Sequence, residues 1–397
     1  MDTATKKDEA RFEFGKNWKS FLEHNLSRER VEQAKSHLLK FLGRTNLEGM
    51  RVLDIGSGSG IHSMAMIEAG ASEVVSFDYD PDSVFATKSL HAMLGGPDNW
   101  KIMQGSVLDD EFMASLGKYD LVYSWGVLHH TGAVWHALDN AARCVASDGL
   151  FYIALYDSDW SAQDPSYWLD IKQRYIKASA IRRRWFELSY VSRFILEYNP
   201  LNLGRLIRHA RNYKKNRGMD LYHDIKDWLG GWPMEYTRVF DVIPRVQRQG
   251  LQLSRVVMGE ANTEYLFFGP NCSREVDRIP LPASLDWQVV SLRHEADFKS
   301  LNGGNPIYIY GAGAGGDRVC EAVERQLGRR PDGFITTSDS GVRDGIKVIP
   351  LDKYIKDAPD GAQILVASIY FDQIAFSLAR SGVKTFWNAY PYILTRL

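Results

Sequence analysis

The sequence predicts an α/β protein: a doubly wound parallel sheet interrupted by a helical insertion, followed by a second, smaller α/β domain. Three observations predict it. A strand, a glycine turn, a helix and a second strand ending in an acid follow one another from Arg51 to Asp80. Strand and helix patterns then alternate to about residue 156. A second strand, glycine turn and helix open at Pro306. Alternation of this kind puts helices on both faces of a parallel sheet.

Val52-Leu53-Asp54-Ile55 is a short apolar run, as a buried parallel strand requires. Gly56-Ser57-Gly58-Ser59-Gly60 follows directly. Its glycines let the backbone turn tightly and let a ligand approach where a Cβ would clash. Ile61 to Gly70 reads as a helix, with Ile61, Met64, Ala65 and Ile67 at helical spacing and Gly70 as its stop. Val74-Val75-Ser76-Phe77 is the next strand, and Asp78 ends it. In such sheets a ligand lies beyond the carboxyl ends of the strands, and an acid about 20 residues after the glycines accepts ribose hydroxyls. Asp82 reads as the cap of the following helix, and further strands fall near 100–104, 119–124 and 149–155. Upstream, Ser27 reads as the N-cap of a helix running to about Leu42, with Glu29 or Glu32 in its first turn.

Asp54-Ile55-Gly56-Ser57-Gly58-Ser59-Gly60 resembles motif I of the class I S-adenosylmethionine-dependent methyltransferases, an acid followed by alternating glycines. The later motifs of that family have counterparts in order. Gln104-Gly105-Ser106-Val107 is similar to the stretch that contacts adenine, Tyr119 to His130 to the fourth strand and its loop, and Asp148 to Ala154 to the fifth strand. The resemblance spans roughly residues 11–157 and 237–270. It implies a seven-stranded Rossmann-like sheet, with the last strands at Leu251–Val257 and Glu264–Phe268 after a helix near 237–248. It also implies S-adenosyl-L-methionine as cofactor. The residues that would hold it are Trp18, Asp54, Gly56, Ser57, Gly58, Asp78, Tyr79, Ser106, Val107, Ser124 and Trp125. Many members carry Asp where Ser106 stands. The N-terminal stripe Phe14, Trp18 and Phe21 has two readings: packing on the domain, or a lid in which Asn17 and Trp18 cover the methionine end.

Composition bounds the class. With 397 residues, two or three domains are expected, and 45% apolar residues suffice for their cores. The three widely spaced cysteines (Cys144, Cys272 and Cys320) argue against a disulfide framework or a cysteine zinc site. No apolar run approaches the ~18 residues of a membrane helix, and Met1 to Ala10 lacks the apolar core of a signal peptide. A cytoplasmic location is the expectation.

Residues 157–236 are read as a helical cap inserted into the core 49–156 and 237–270, with 1–48 as an N-terminal arm. Between Lys172 and Arg217 there are thirteen Lys or Arg and two acids, in a chain of net charge −1. A solvated helix face accounts for such a run. So does a site for an anionic small-molecule or lipid-linked substrate, and the charge also suits contact with the inner membrane surface. Nucleic acid is disfavoured, since no recognised binding motif accompanies the charge. Methyl transfer to oxygen benefits from a base, and His129, His130 and His223 are the candidates. Tyr222, Trp232, Glu235 and Arg183 are candidate substrate contacts. No metal is expected, because Ser124 to His130 supplies no carboxylate.

Residues 271–305 read as a connector and 306–397 as a Rossmann-like domain of nucleotide-binding type, in which Gly311, Gly313 and Gly316 match the dinucleotide spacing. That domain resembles parts of sugar-modifying enzymes and either binds a nucleotide or scaffolds. The combined expectation is a methyltransferase acting on a sugar hydroxyl of a nucleotide-linked or lipid-linked glycan precursor. The alternatives are a small aromatic or quinol-like acceptor, and a cofactor-binding sensor or scaffold without catalysis.

Overall fold

The computed structural model describes residues 28–158, 165–196, 221–258, 262–273, 288–368, 370–383 and 385–394. The first domain runs α1 (Arg28–Leu42), β1 (Arg51–Ile55), α2 (Ile61–Glu68), β2 (Glu73–Asp78), α3 (Pro81–Met93), β3 (Trp100–Gln104), α4 (Asp110–Leu116), β4 (Tyr119–Trp125), α5 (Val134–Arg143) and β5 (Val145–Tyr156). The insertion contributes α6 (Pro165–Ile176), α7 (Ala180–Tyr190) and α8 (Leu221–Gly230). Then α9 (Val239–Arg248), β6 (Gln252–Met258) and β7 (Asn262–Phe268) complete a seven-stranded sheet of order β3-β2-β1-β4-β5-β7-β6. β7 alone runs against its neighbours, pairing antiparallel with both β5 and β6.

The strand alternation decides the two cores. Leu53, Ile55, Val75, Phe77, Val122, Phe151 and Ile153 pack on the face covered by α5 and α9. Val52, Val74, Leu121, Tyr123, Leu150 and Tyr152 point the other way, toward α1 and α2. Successive strand residues alternate faces, so both sides of this sheet must be apolar. Helix starts follow local chemistry. Asp80, not the expected Asp82, caps α3: its carboxylate accepts from the Asp82 amide at 2.9 Å, with Pro81 at the first helical position. Asp109 does the same for α4 through the Phe112 amide. Ser27 and Trp18 lie outside the described residues.

The second domain holds β8 (Gln288–Ser291), β9 (Ile307–Tyr310), α10 (Ala314–Leu327), β10 (Gly333–Thr336), β11 (Gly341–Arg343), β12 (Ile346–Pro350), α11 (Leu351–Lys356), β13 (Gln363–Val366), α12 (Phe371–Arg380), β14 (Thr385–Asn388) and α13 (Tyr390–Leu394). Its sheet order is β11-β12-β10-β9-β13-β14-β8. The stretch read as a connector therefore contains β8, an edge strand parallel to β14. Four residues beside a polar segment carry too little periodicity to announce a strand.

The two domains meet at α9. The Phe240 ring lies 5.7 Å from Phe386 and 6.3 Å from Phe371. Arg238 donates to the Val289 carbonyl, and Arg293 reaches back to the carbonyl of Ser158, just past β5. Phe240 is half-buried, so Phe240→Ala is expected to cost about 2 kcal/mol, less than removal of a fully buried ring. In urea melts followed by tryptophan fluorescence it should separate the unfolding of the two domains, whereas an unchanged single transition would place the seam elsewhere.

Candidate functional site

The site is built on the carboxyl ends of β1, β2, β4 and β5. At the end of β1 the chain turns through Gly56 (φ 78°), Gly58 (φ 55°) and Gly60 (φ 82°), a region that favours glycine. The turn is tied to β2. The Gly56 and Ser57 amides donate to the Phe77 carbonyl at 2.8 and 3.1 Å, and the Gly58 amide donates to Asp78 Oδ2 at 2.9 Å. A Cβ on Gly56 would fall 2.3 Å from Val127 Cγ1, so the turn also packs against the segment after β4.

Asp78 also accepts from the Asp80 amide at 2.9 Å through Oδ1. Burial pushes its carboxyl up to about 6, against the pull of those backbone donors. Neighbouring Tyr79 is 58% exposed. Asp54 is buried beneath the turn, and burial, with Asp78 nearby, pushes it up to about 7. Its carboxylate ends a relay that sequence reasoning missed. Trp100 Nε1 donates to Ser76 Oγ at 2.6 Å, Ser76 to Ser63 Oγ at 2.9 Å, and Ser63 to Asp54. The relay ties β3, β2 and α2 to the last turn of β1.

After β3, the Gly105 amide donates to the Asp78 carbonyl at 3.0 Å. Ser106 Oγ accepts from the Leu108 amide, while buried Val107 offers its carbonyl to Asn140. The buried hydroxyl of Ser124 donates to the Ile55 carbonyl at 3.1 Å and so joins β4 to β1. Trp125 is partly exposed, with its ring 6.2 Å from that of His62. His62 was not singled out in sequence; burial lowers it to about 4.

On the opposite wall, His130 Nδ1 lies 2.8 Å from the Pro233 carbonyl. Nδ1 must therefore carry the proton, which leaves Nε2 an acceptor. Burial, then the charge of Lys172, holds this imidazole down to about 3, so it is neutral at neutral pH. His129 is fully buried, and burial, then His130 and Lys172, keeps it neutral, with Nδ1 accepting from the Tyr156 amide at 3.4 Å. Its ring centroid is 4.0 Å from that of Tyr156, which in turn is 5.7 Å from Trp228 of α8. Lys172, one member of the basic run, is buried and donates to the Trp228 carbonyl, with its ammonium 4.4 Å from the Trp228 ring centroid.

Two expected substrate contacts hold the fold instead. The Glu235 carboxylate accepts from the Val134 amide at 2.8 Å and so caps α5, while the Glu235 amide donates to the His129 carbonyl at 2.8 Å. Arg183 closes the end of α6, donating to the carbonyls of Tyr175 and Ile176 at 3.2 and 2.8 Å. Trp232 is half-buried before the cis Pro233. Tyr222 and His223 lie on α8, but their side chains are outside the described residues, as is Trp18. In the second domain, a Cβ on Gly316 would fall 1.9 Å from the Gly311 carbonyl oxygen, which explains that glycine by packing alone; Gly313 faces open space at the start of α10.

Residues 27–218 match a family model described as "Methyltransferase domain". These residues, just under half of the chain, are thus similar to a methyltransferase domain. A tRNA U34 carboxymethyltransferase from Chromohalobacter salexigens is 34% identical over 84 residues, which is 21% of this chain and 25% of that protein. A ubiquinone biosynthesis O-methyltransferase from Rhizobium rhizogenes is 29% identical over 137 residues, 33% of this chain and 53% of that protein. The chain thus spans from about a quarter to about half the length of these curated relatives. Among solved structures, magnesium protoporphyrin IX methyltransferase from Synechocystis PCC 6803, with bound SAH, is 14% identical at a TM-score of 0.37, covering 64% of this chain and 93% of that one. An O-methyltransferase family protein from Burkholderia thailandensis is 12% identical at a TM-score of 0.38, covering 65% of this chain and 59% of that one.

The glycine turn of the methyltransferase domain gives a paired test. Gly56→Ala combines strain at positive φ with the clash on Val127, and should cost roughly 2–4 kcal/mol. Gly250→Ala meets a similar positive φ (87°) with nothing within 4 Å and should cost only about 1 kcal/mol. Equal shifts in chemical denaturation would contradict the packing of the turn on Val127.

Proposed function

We propose that this chain transfers a methyl group from S-adenosyl-L-methionine to a hydroxyl of an anionic acceptor, by preference a sugar hydroxyl of a nucleotide-linked or lipid-linked glycan precursor. The observation that carries the cofactor half is the Asp78 carboxylate bound to the Gly58 amide beside a turn whose first, third and fifth residues are glycines. The Gly58 and Asp80 amides take one position on each oxygen and the Tyr79 amide adds a third donor, which still leaves the carboxylate capacity to accept a ribose hydroxyl. When bound, the cofactor supplies an electrophilic methyl group. The protein's part is to position the acceptor for in-line attack. His130 orients the attacking hydroxyl through Nε2, since Nδ1 is committed to Pro233. As the acceptor oxygen took up the methyl group, His130 Nε2 would receive the hydroxyl proton or pass it to water.

The acceptor half rests on charge. Lys172 is buried at the wall where the neutral histidines lie, under a cap whose basic run outnumbers its acids thirteen to two. A cation there suits an anionic acceptor. Nucleic acid is the second reading, favoured by the similarity to tRNA U34 carboxymethyltransferases, and a quinol is a third, favoured by the similarity to the ubiquinone O-methyltransferase.

Two outcomes follow. Ribose hydroxyls donate to the ionised form of Asp78, so cofactor binding releases its proton. Affinity for S-adenosylhomocysteine should therefore tighten up to about tenfold between about pH 5 and pH 7 and stay level above. Asp78→Asn should abolish this slope in calorimetric titrations, and a flat wild-type profile would remove the ribose from Asp78. His130→Ala should cut turnover by about 10²-fold or more while S-adenosylhomocysteine affinity is kept. His130→Asn, whose amide can still donate to Pro233, separates the loss of the acceptor nitrogen from the loss of the loop anchor. Methyl transfer to UDP-sugars, dTDP-sugars, lipid-linked sugars, tRNA and quinols, run in parallel, decides the acceptor class.

A further inference from the structure

The cap carries an apolar stripe on its outer face. In α7 the side that packs inward is formed by Phe186, Glu187 and Tyr190. The Tyr175 hydroxyl donates to Glu187 at 2.8 Å there, beside the small core of Tyr175, Ile225 and Leu229. On the other side, Ile181, Trp185 and Leu188 are 75%, 70% and 62% exposed. Their spacing of four and three residues puts all three on one stripe, directly opposite the packed side. A solvated helix face is normally polar. Here the outward face is the apolar one.

Charge frames the stripe. At 100° per residue Arg182 lies along one border and Arg184 along the other. Both are exposed, and Lys177 is exposed in the short link that joins α6 to α7. Arg184 is paired with Glu187 at 3.0 Å, so Arg182 and Lys177 lead the outward field.

We propose that this face of α7 docks the cap onto an anionic phospholipid bilayer. Isoleucine and leucine enter the acyl boundary, tryptophan sits at the headgroup level, and the basic side chains meet lipid phosphates. Among the described residues no helix is long and apolar enough to cross a membrane, so the contact is peripheral. A second copy of the same face fits poorly, because it would bring like charges together. Nucleic acid would use the arginines and leave Ile181 and Leu188 without partners. The inference does not depend on which acceptor is methylated.

The test is sedimentation of the full chain with sucrose-loaded vesicles of phosphatidylcholine alone, and of equal parts phosphatidylcholine and phosphatidylglycerol, at roughly 0.1 M salt. Binding to the anionic vesicles only is expected. The triple variant Ile181→Ser, Trp185→Ser, Leu188→Ser should weaken it at least about tenfold, and Lys177→Gln with Arg182→Gln should weaken it too, in both cases with unchanged thermal melting. Equal binding to neutral vesicles, no binding by the wild type, or undiminished binding by the triple variant would overturn the proposal. So would dimerisation of the wild type that the triple variant abolishes, since a second copy would then be the occupant.

Discussion

The hydrogen bonds from the glycine turn to the end of β2 fix the position of everything else around the site. Phe77 receives two amides of the turn and Asp78 a third. These bonds hold a backbone of repeated positive φ that would otherwise be costly in entropy. They also set where Val127 can pack, and with it the segment that delivers His129 and His130. Beneath the turn, the chain of donors from Trp100 to Asp54 fastens three strands and a helix to the same point. A buried polar relay of this kind is costly when half-satisfied and specifies one geometry when complete.

The far wall is organised by carbonyls. The Pro233 carbonyl selects the His130 tautomer, and the His129 carbonyl receives the Glu235 amide. The Tyr156 carbonyl accepts from the Thr237 amide and hydroxyl, which joins the end of β5 to the chain returning from the insertion. Arg293 adds the second domain to the same strand end through Ser158. The insertion and the second domain thus both meet the core at the end of β5.

Much of this was legible in the sequence because it is local. The glycine turn, Asp78 and the alternation of strands and helices each lie within a few residues of one another, and the seven strands follow from them. What was hidden depends on partners distant in sequence. Ser63, Ser76 and Trp100 are unremarkable singly and form a relay only once three elements meet. Lys172 could not be told from its solvated neighbours, because charge alone does not reveal burial. Ser124 and Glu235 sit beside the expected site in sequence, yet their oxygens are taken by backbone groups of β1 and α5. Arg183 likewise meets the carbonyls at the end of α6, since a helix end needs donors as much as a ligand does.

The most direct measurement is a calorimetric titration of the full chain with S-adenosylhomocysteine and, separately, with NAD. A turn that begins with buried Asp54 and ends against Asp78 should give one-site binding of S-adenosylhomocysteine in the micromolar range and none of NAD. Binding of NAD without S-adenosylhomocysteine would contradict the assignment of this turn and make the protein a dinucleotide-binding one.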